Sequence, residues 1–243
     1  MDRTEITVRN MLNAIKAPLY DIGVLSDRGM LPGLDNIPAE DVLGRLSLLK
    51  YRNARGSHIY VRPSGEHGYT VLDDLNESML ARLDANSFNP CAVVETSAGN
   101  FQAWLKHRSV FPKLLGTFAA QTLAERYDAD PSAADWRRFG RLPGFTNCKP
   151  KYRKPDGLFP FVRLCSHSGG QYPMAQAFEQ EITTLYEAAS SNMRRGGCRV
   201  LFLPEGDRGY RPCLLSGSET HPDTETAPPP LISPSVSRRL PMA

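Results

Sequence analysis

Asp73 and Asp74 stand side by side at the end of the apolar run Tyr69-Thr70-Val71-Leu72, and a second acidic cluster, Asp128-Ala129-Asp130-Pro131, follows downstream. That cluster opens into Asp135-Trp136-Arg137-Arg138-Phe139-Gly140-Arg141-Leu142-Pro143-Gly144-Phe145-Thr146-Asn147-Cys148-Lys149, which is rich in Arg and punctuated by Gly and Pro. Carboxylates gathered at a strand end repel one another unless cations neutralise them. Hard divalent cations such as Mg²⁺ are the ones that oxygen ligands suit. Acids set beside bases in this way fit chemistry on metal-bound phosphate. Side chains alternate along a regular strand, so both Asp can face one ligand only where the backbone bends. An isolated Asp-Asp pair is more often a solvated turn before a helix, so its meaning here depends on the surrounding sequence.

The chain has 243 residues, with 41% hydrophobic and 23% charged residues. That is enough for one sizeable domain plus a tail. No stretch reaches the roughly 18 consecutive apolar residues of a membrane span, so no membrane association is expected. Met1-Asp2-Arg3-Thr4-Glu5 carries charges of both signs and lacks an apolar segment, unlike a secretory signal, so a cytoplasmic location is expected. The five cysteines, Cys91, Cys148, Cys165, Cys198 and Cys213, form no Cys-x-x-Cys pair and have no His at zinc-finger spacing. They read as reduced thiols. A net charge of +3 is mildly basic, so the distribution of charge matters more than its sum.

The elements that must position these acids follow from periodicity and punctuation. Ile6, Val8, Met11, Leu12 and Ile15 predict a helix over 5–17 that Pro18 stops. A strand is expected over Tyr20–Leu25, a helix over Ala39–Tyr51 and a strand over Ser57–Arg62. That strand is expected to pair with Tyr69–Asp73 as a hairpin carrying the acidic pair at its end, which would put Arg62 beside the Asp73 strand. Asn76 is suited to cap a helix running to about Asp84. Cys91–Thr96 and Phe101–Leu105 predict two strands about a turn at Ser97–Gly99, and Val110–Tyr127 a long helix. Phe159–Leu164 predicts a late edge strand because of its Pro, and Ala175–Met193 a final helix. Helices and strands alternate, which predicts an α/β fold with a mixed, largely antiparallel sheet flanked by helices. Residues 1–195 are expected to form the domain. Residues 196–243, with Pro228, Pro229, Pro230, Pro234 and Pro241, form a Pro/Ser-rich segment expected to be a disordered tail, most clearly over 205–243.

Several separate blocks together resemble the RepB-type replication primases of broad-host-range plasmids, within the archaeo-eukaryotic primase superfamily. They are His58-Ile59-Tyr60-Val61-Arg62-Pro63, Val71-Leu72-Asp73-Asp74-Leu75, Val93-Val94-Glu95-Thr96-Ser97, Asn100-Phe101-Gln102-Ala103-Trp104, and the run from Tyr127 through Lys149. The resemblance covers residues 5–170 approximately, and the blocks agree in order and spacing. It implies a primase-type α/β domain whose metal site uses an acidic pair on one strand and a third Asp shortly before the Arg-Leu-Pro-Gly run. Carried over, these are Asp73, Asp74 and Asp130, with Asp128 and Asp135 as neighbouring candidates for the third place. It also implies a phosphate-contacting element at Asn100-Phe101-Gln102, where Gln102 replaces a His common in the superfamily and so loses titration and positive charge. Arg141, Asn147 and Lys149 would complete a nucleotide pocket, Arg and Lys on triphosphate oxygens and Asn on sugar or phosphate.

The function this implies is a DNA primase for plasmid replication, which makes short primers on single-stranded DNA by nucleotidyl transfer with Mg²⁺ or Mn²⁺. Expected partners are the single-stranded template, nucleoside triphosphates and other replication proteins such as a helicase or initiator. The alternative is a non-catalytic DNA-binding accessory module of the same fold. Arg137 and Arg138 add charge near the acids, and Lys151, Arg153 and Lys154 extend it, as a phosphate or template track or as a solvated face. Trp104, Trp136 and Phe139 suit either the core or base stacking. His58, His67, His107 and His167 show no metal-ligand spacing and receive no role.

Overall fold

The computed structural model describes residues 2–195. Helix α1 (Arg3–Ile15) starts where the Asp2 carboxylate accepts from the Glu5 N–H, buries Val8, Met11, Leu12 and Ile15 on one face, and ends at Lys16 in the left-handed conformation. It leads into strand β1 (Tyr20–Ser26). β1 turns back into β2 (Gly29–Ile37), a strand that the Pro and Gly residues of its sequence conceal, and pairs on its other side with β3 (His58–Pro63). Between them lie two short helices, α2 (Ala39–Gly44) and α3 (Leu46–Ala54), in place of the one helix expected over 39–51. The break falls at Arg45, whose φ of −99° and ψ of 6° leave the helical region.

The expected hairpin of β3 with β4 (Tyr69–Leu75) does not form. β3 pairs with β1 and with the two-residue strand β7 (Gly140–Arg141), while β4 pairs with β6 (Asn100–Lys106). Arg62 is therefore on a different sheet from Asp73. In place of one mixed sheet there are, among the described residues, two four-stranded sheets, ordered β2-β1-β3-β7 and β4-β6-β5-β8, in which neighbouring strands run antiparallel, with β5 at Ala92–Ser97 and β8 at Arg163–Ser166. The late strand lies at a sheet edge as Pro160 suggested, but begins after it, at Arg163. The α/β class and the predominance of antiparallel pairing stand.

The second sheet is covered on both faces, so β6 is buried continuously from Phe101 to Leu105 rather than on alternate residues, with Gln102 the one polar side chain in the run. Phe101, Ala103 and Leu105 point into a core with α4 (Glu77–Ala85), α5 (Lys113–Arg126) and α6 (Ala175–Arg195); Trp104 joins the other core, with α1, β1 and β3. Trp104 is wholly buried and belongs to the core rather than to a stacking surface. Gly140 lets β7 lie against its indole, since a Cβ there would stand 2.2 Å from Trp104 Cζ2. Under the helices, buried His107 bridges Thr70 Oγ1 and the Tyr172 hydroxyl, each at 2.8 Å. The helices expected after Asn76 and over the 110–127 region are α4, with Asn76 accepting from the Met79 N–H, and α5. Residues 196–243, where the tail is expected, lie outside the described residues.

Two outcomes follow. Gly140→Ala should destabilise the domain by roughly 1–3 kcal/mol, the cost of overpacking a filled core, seen as a lower urea midpoint at unchanged m-value. Burial, with a smaller contribution from His67, pushes the His107 pKa down to about 3, and burial with Arg62 pushes that of His67 down to about 4. Both imidazoles stay neutral in the folded chain while the unfolded chain takes up protons below about pH 6.5. Stability should therefore fall as pH drops from 7 to 5, by at most about 1.4 kcal/mol per pH unit for each group. His107→Gln should flatten that slope in urea titrations at the two pH values.

Candidate active site

The two adjacent acids are brought to one side by a bulge. Leu72 pairs with Ala103 and Leu75 with Phe101, so Asp73 and Asp74 together oppose the single residue Gln102. Leu72 and Leu75, three apart, both reach the core under the helices, a phase that an unbroken strand would not allow. Asp74 provides the turn with φ of 63°, a left-handed conformation that Asp tolerates better than most residues. The Asp73 carboxylate accepts from the Asp74 N–H at 2.9 Å, and the Asp74 carboxylate meets Asn100 Nδ2.

Asp130, distant in sequence, is tied to the bulge by its backbone: its N–H donates to the Asp73 carbonyl at 3.0 Å. The neighbouring acids are occupied elsewhere. Asp128 pairs with Arg82 of α4 at 2.5 Å, and Asp135 accepts from the Arg137 N–H at 2.8 Å, so it caps its own turn. The Asp130 carboxylate accepts from the N–H and hydroxyl of Ser132 at 2.9 and 2.7 Å. Arg138 binds the Asp73 carboxylate at 2.5 Å, with the Asp73 side chain 17% exposed. Among the described residues no three His, Cys, Asp or Glu side chains are grouped as a metal ion would need.

These acids nevertheless fit a divalent ion in their chemistry. They are all oxygen donors, the bulge and the Asp130 hydrogen bond hold three of them around one short stretch of backbone, and Asp73 already carries a cation, the Arg138 guanidinium.

The basic side is built around Arg141. Arg141 is 4% exposed; its Nη1 is 2.8 Å from His58 Nδ1, and its guanidinium lies over the Tyr60 ring at 5.0 Å. Burial pushes the Arg141 pKa below its usual 12.5, while Tyr60 and then Asp73 pull it back, so the Asp73 charge is felt there. Burial, then Arg141 and Lys149, hold the His58 imidazole down to about 4. His58 is thus a neutral acceptor near neutral pH, a contact that its spacing did not reveal.

The remaining expected nucleotide contacts divide. Asn100 stands beside Asp74, and Lys149 is exposed next to the buried cluster. Gln102 and Asn147 are each 2% exposed and are spent on backbone. Gln102 Oε1 accepts from the Arg141 N–H at 2.8 Å, which joins the two sheets, and Asn147 Nδ2 donates to the Thr96 carbonyl at 2.7 Å. Arg62 also serves as a brace. It pairs with Asp21 at 2.9 Å, donates to the Arg137 carbonyl at 2.9 Å and lies over the Phe139 ring at 4.3 Å. Although burial alone raises the Asp21 pKa, Ser64, the Asn36 N–H and Arg62 together hold it below 3.8. Asn53, which the sequence did not single out, clamps Thr146 by accepting from its N–H and hydroxyl, each at 2.9 Å.

With Asp73 and Asp74 on the bulged strand of one sheet and Arg141 on β7 of the other, the class is that of archaeo-eukaryotic primase-type domains. At the level of fold alone, the chain matches the primase-polymerase domain of cyanophage S-2L, 12% identical with a TM-score of 0.50 over 74% of this chain and 97% of that one. More specifically, the family model of the RepB DNA-primase N-terminal domain matches residues 5–189, and the chain belongs to that family. A crystal structure of the catalytic domain of primase RepB′ in complex with initiator DNA is 36% identical, with a TM-score of 0.72 over 78% of this chain and 98% of that one. Mobilization protein A of Escherichia coli is 36% identical over 208 residues, 84% of this chain and 29% of that protein. A DNA primase of Acidithiobacillus ferrooxidans is 32% identical over 137 residues, 55% of this chain and 39% of that protein. The chain thus spans well under half the length of these two relatives. The family implies dependence on a divalent metal in general terms. Among the described residues no helix is long and apolar enough to cross a membrane.

Gln102→Leu should leave the buried Arg141 N–H without an acceptor. It should lower the unfolding free energy by about 1–3 kcal/mol in urea denaturation.

Proposed function

We propose that the chain is the catalytic domain of a DNA primase serving plasmid replication, and that it forms phosphodiester bonds on a single-stranded DNA template from nucleoside triphosphates. One observation supports this: the bulge at Asp73-Asp74 keeps two adjacent acids together, and the Asp130 N–H bonded to the Asp73 carbonyl ties the backbone of a third acid, distant in sequence, to them. Asp73, Asp74 and Asp130 would hold Mg²⁺ or Mn²⁺. When bound, such an ion lowers the charge barrier between carboxylates and triphosphate and stabilises charge on the reacting oxygens. Arg141 and Lys149 attract and orient phosphate oxygens, and Asn100 fixes the Asp74 carboxylate. Gln102, Asn147 and His58 act behind them. They hold the backbone and side chain of Arg141 and the 147–149 turn in place.

The engagement of all three carboxylates by Arg138, Asn100 and Ser132 favours a second reading, a DNA-binding accessory module without catalysis. Incorporation of labelled nucleotide on single-stranded DNA by the full chain separates the two. The unaltered chain should give metal-dependent product. Asp73→Ala with Asp74→Ala, and separately Asp130→Ala, should lose several kcal/mol of charge stabilisation, a fall of ~10²-fold or more. Undiminished product from the variants removes this site. No product from the unaltered chain, with DNA binding retained, favours the accessory module.

A further inference from the structure

The Arg138 guanidinium occupies a position that primase chemistry must vacate. It bonds Asp73, one of the acids assigned above to the metal, and its own Nε is buried with no hydrogen-bond partner. Its backbone is fixed. The Arg138 N–H donates to the Asp135 carbonyl at 3.1 Å, and Arg62 grips both flanking residues, through the Arg137 carbonyl and the Phe139 ring. The guanidinium itself ends a long side chain that is 34% exposed, so it can turn while its backbone stays. The Asp73 charge also acts on Arg141.

We infer that Arg138 is a resident counter-ion that competes with the metal for Asp73 and passes to the phosphates when metal and triphosphate enter together. The inference rests on the metal-site reading given under the proposed function. A metal ion alone must displace Arg138 and leave a half-buried guanidinium without its carboxylate, which costs free energy. A metal ion arriving with a triphosphate supplies phosphate oxygens as the replacement acceptor, in a geometry that a guanidinium fork accepts well. Arg138 thereby couples the two binding events, a linkage that works in both directions.

The test measures Mn²⁺ binding to the full chain by the electron paramagnetic resonance signal of free Mn²⁺, for the unaltered protein and for Arg138→Gln, Arg138→Lys and Asp73→Asn. Binding of a fluorescent non-hydrolysable nucleoside triphosphate at saturating Mn²⁺ is measured in parallel. Arg138→Gln should bind Mn²⁺ alone about tenfold more tightly and the Mn²⁺–triphosphate complex several-fold more weakly. Arg138→Lys, which keeps the charge, should stay near the unaltered protein in Mn²⁺ binding and decides the matter if circular dichroism shows Arg138→Gln to be misfolded. In that case a clear gain in Mn²⁺ affinity for Arg138→Lys counts against the inference. Unchanged or weaker Mn²⁺ binding by folded Arg138→Gln, with binding lost in Asp73→Asn, overturns this inference and leaves the metal site standing. Unchanged affinity of Arg138→Gln for the Mn²⁺–triphosphate complex overturns the transfer to phosphate. Mn²⁺ bound equally by Asp73→Asn and the unaltered protein, or by none of the chains, overturns the metal site and this inference together.

Discussion

Two carboxylates on consecutive residues repel each other, and a strand would normally separate them by sending them to opposite faces. The structure resists that separation with one extra residue. By opposing Asp73 and Asp74 to Gln102 alone, the bulge keeps the leucines on either side in the same apolar core and pushes both acids away from it. The core beneath therefore fixes the site above it: to straighten β4, Leu72 or Leu75 would have to leave a buried position, at a cost of roughly 1.5–3 kcal/mol for a side chain of that size. The left-handed Asp74 and the hydrogen bond from Asn100 follow from this constraint, as does the anchoring of Asp130 to the Asp73 carbonyl.

The basic half is assembled by a different means. Arg141 is buried, and a buried cation needs partners. Tyr60 supplies a ring face, His58 a neutral nitrogen and Gln102 an acceptor for the backbone beside it. Tyr60 and His58 come from β3 and Gln102 from β6, so Arg141 on β7 gathers three strands around itself. Arg62 organises the segment between the acids and Arg141 in the same manner, with Asp21 behind it. Residues that look ready to grip a ligand when read in line are thus partly spent on holding the grip of others.

Much of this was legible in the sequence. Helical spacing and capping residues placed α1, α4, α5 and α6, and the acidic pair, Asp130 and the Arg-Leu-Pro-Gly run were found as motifs. The pairing of strands was not, because local sequence says where a strand lies but not which distant strand it meets. The turn between β3 and β4 looked like a hairpin loop and instead crosses from one sheet to the other. β2 was hidden by Pro32 and Gly33, which are tolerated on an edge strand. Gln102 and Asn147 had the right chemistry for a ligand and the right chemistry for a backbone brace. Only burial separates the two roles. The partners of Arg138 and His58 were hidden for a related reason, since each lies far away in sequence.

The dipeptide Gly140-Arg141 belongs to both sheets at once: it pairs with Tyr60 and Val61 in one, while its Arg141 amide reaches Gln102 in the other and its glycine rests on the Trp104 indole. The acids ride on one of these bodies and the buried arginine on the other. The separation between negative and positive charge is consequently set by the angle at which the sheets meet, a quantity governed by the whole interior and not by any loop. Sequence changes deep in the seam thereby become a means of tuning the electrostatic gap without altering a single charged residue.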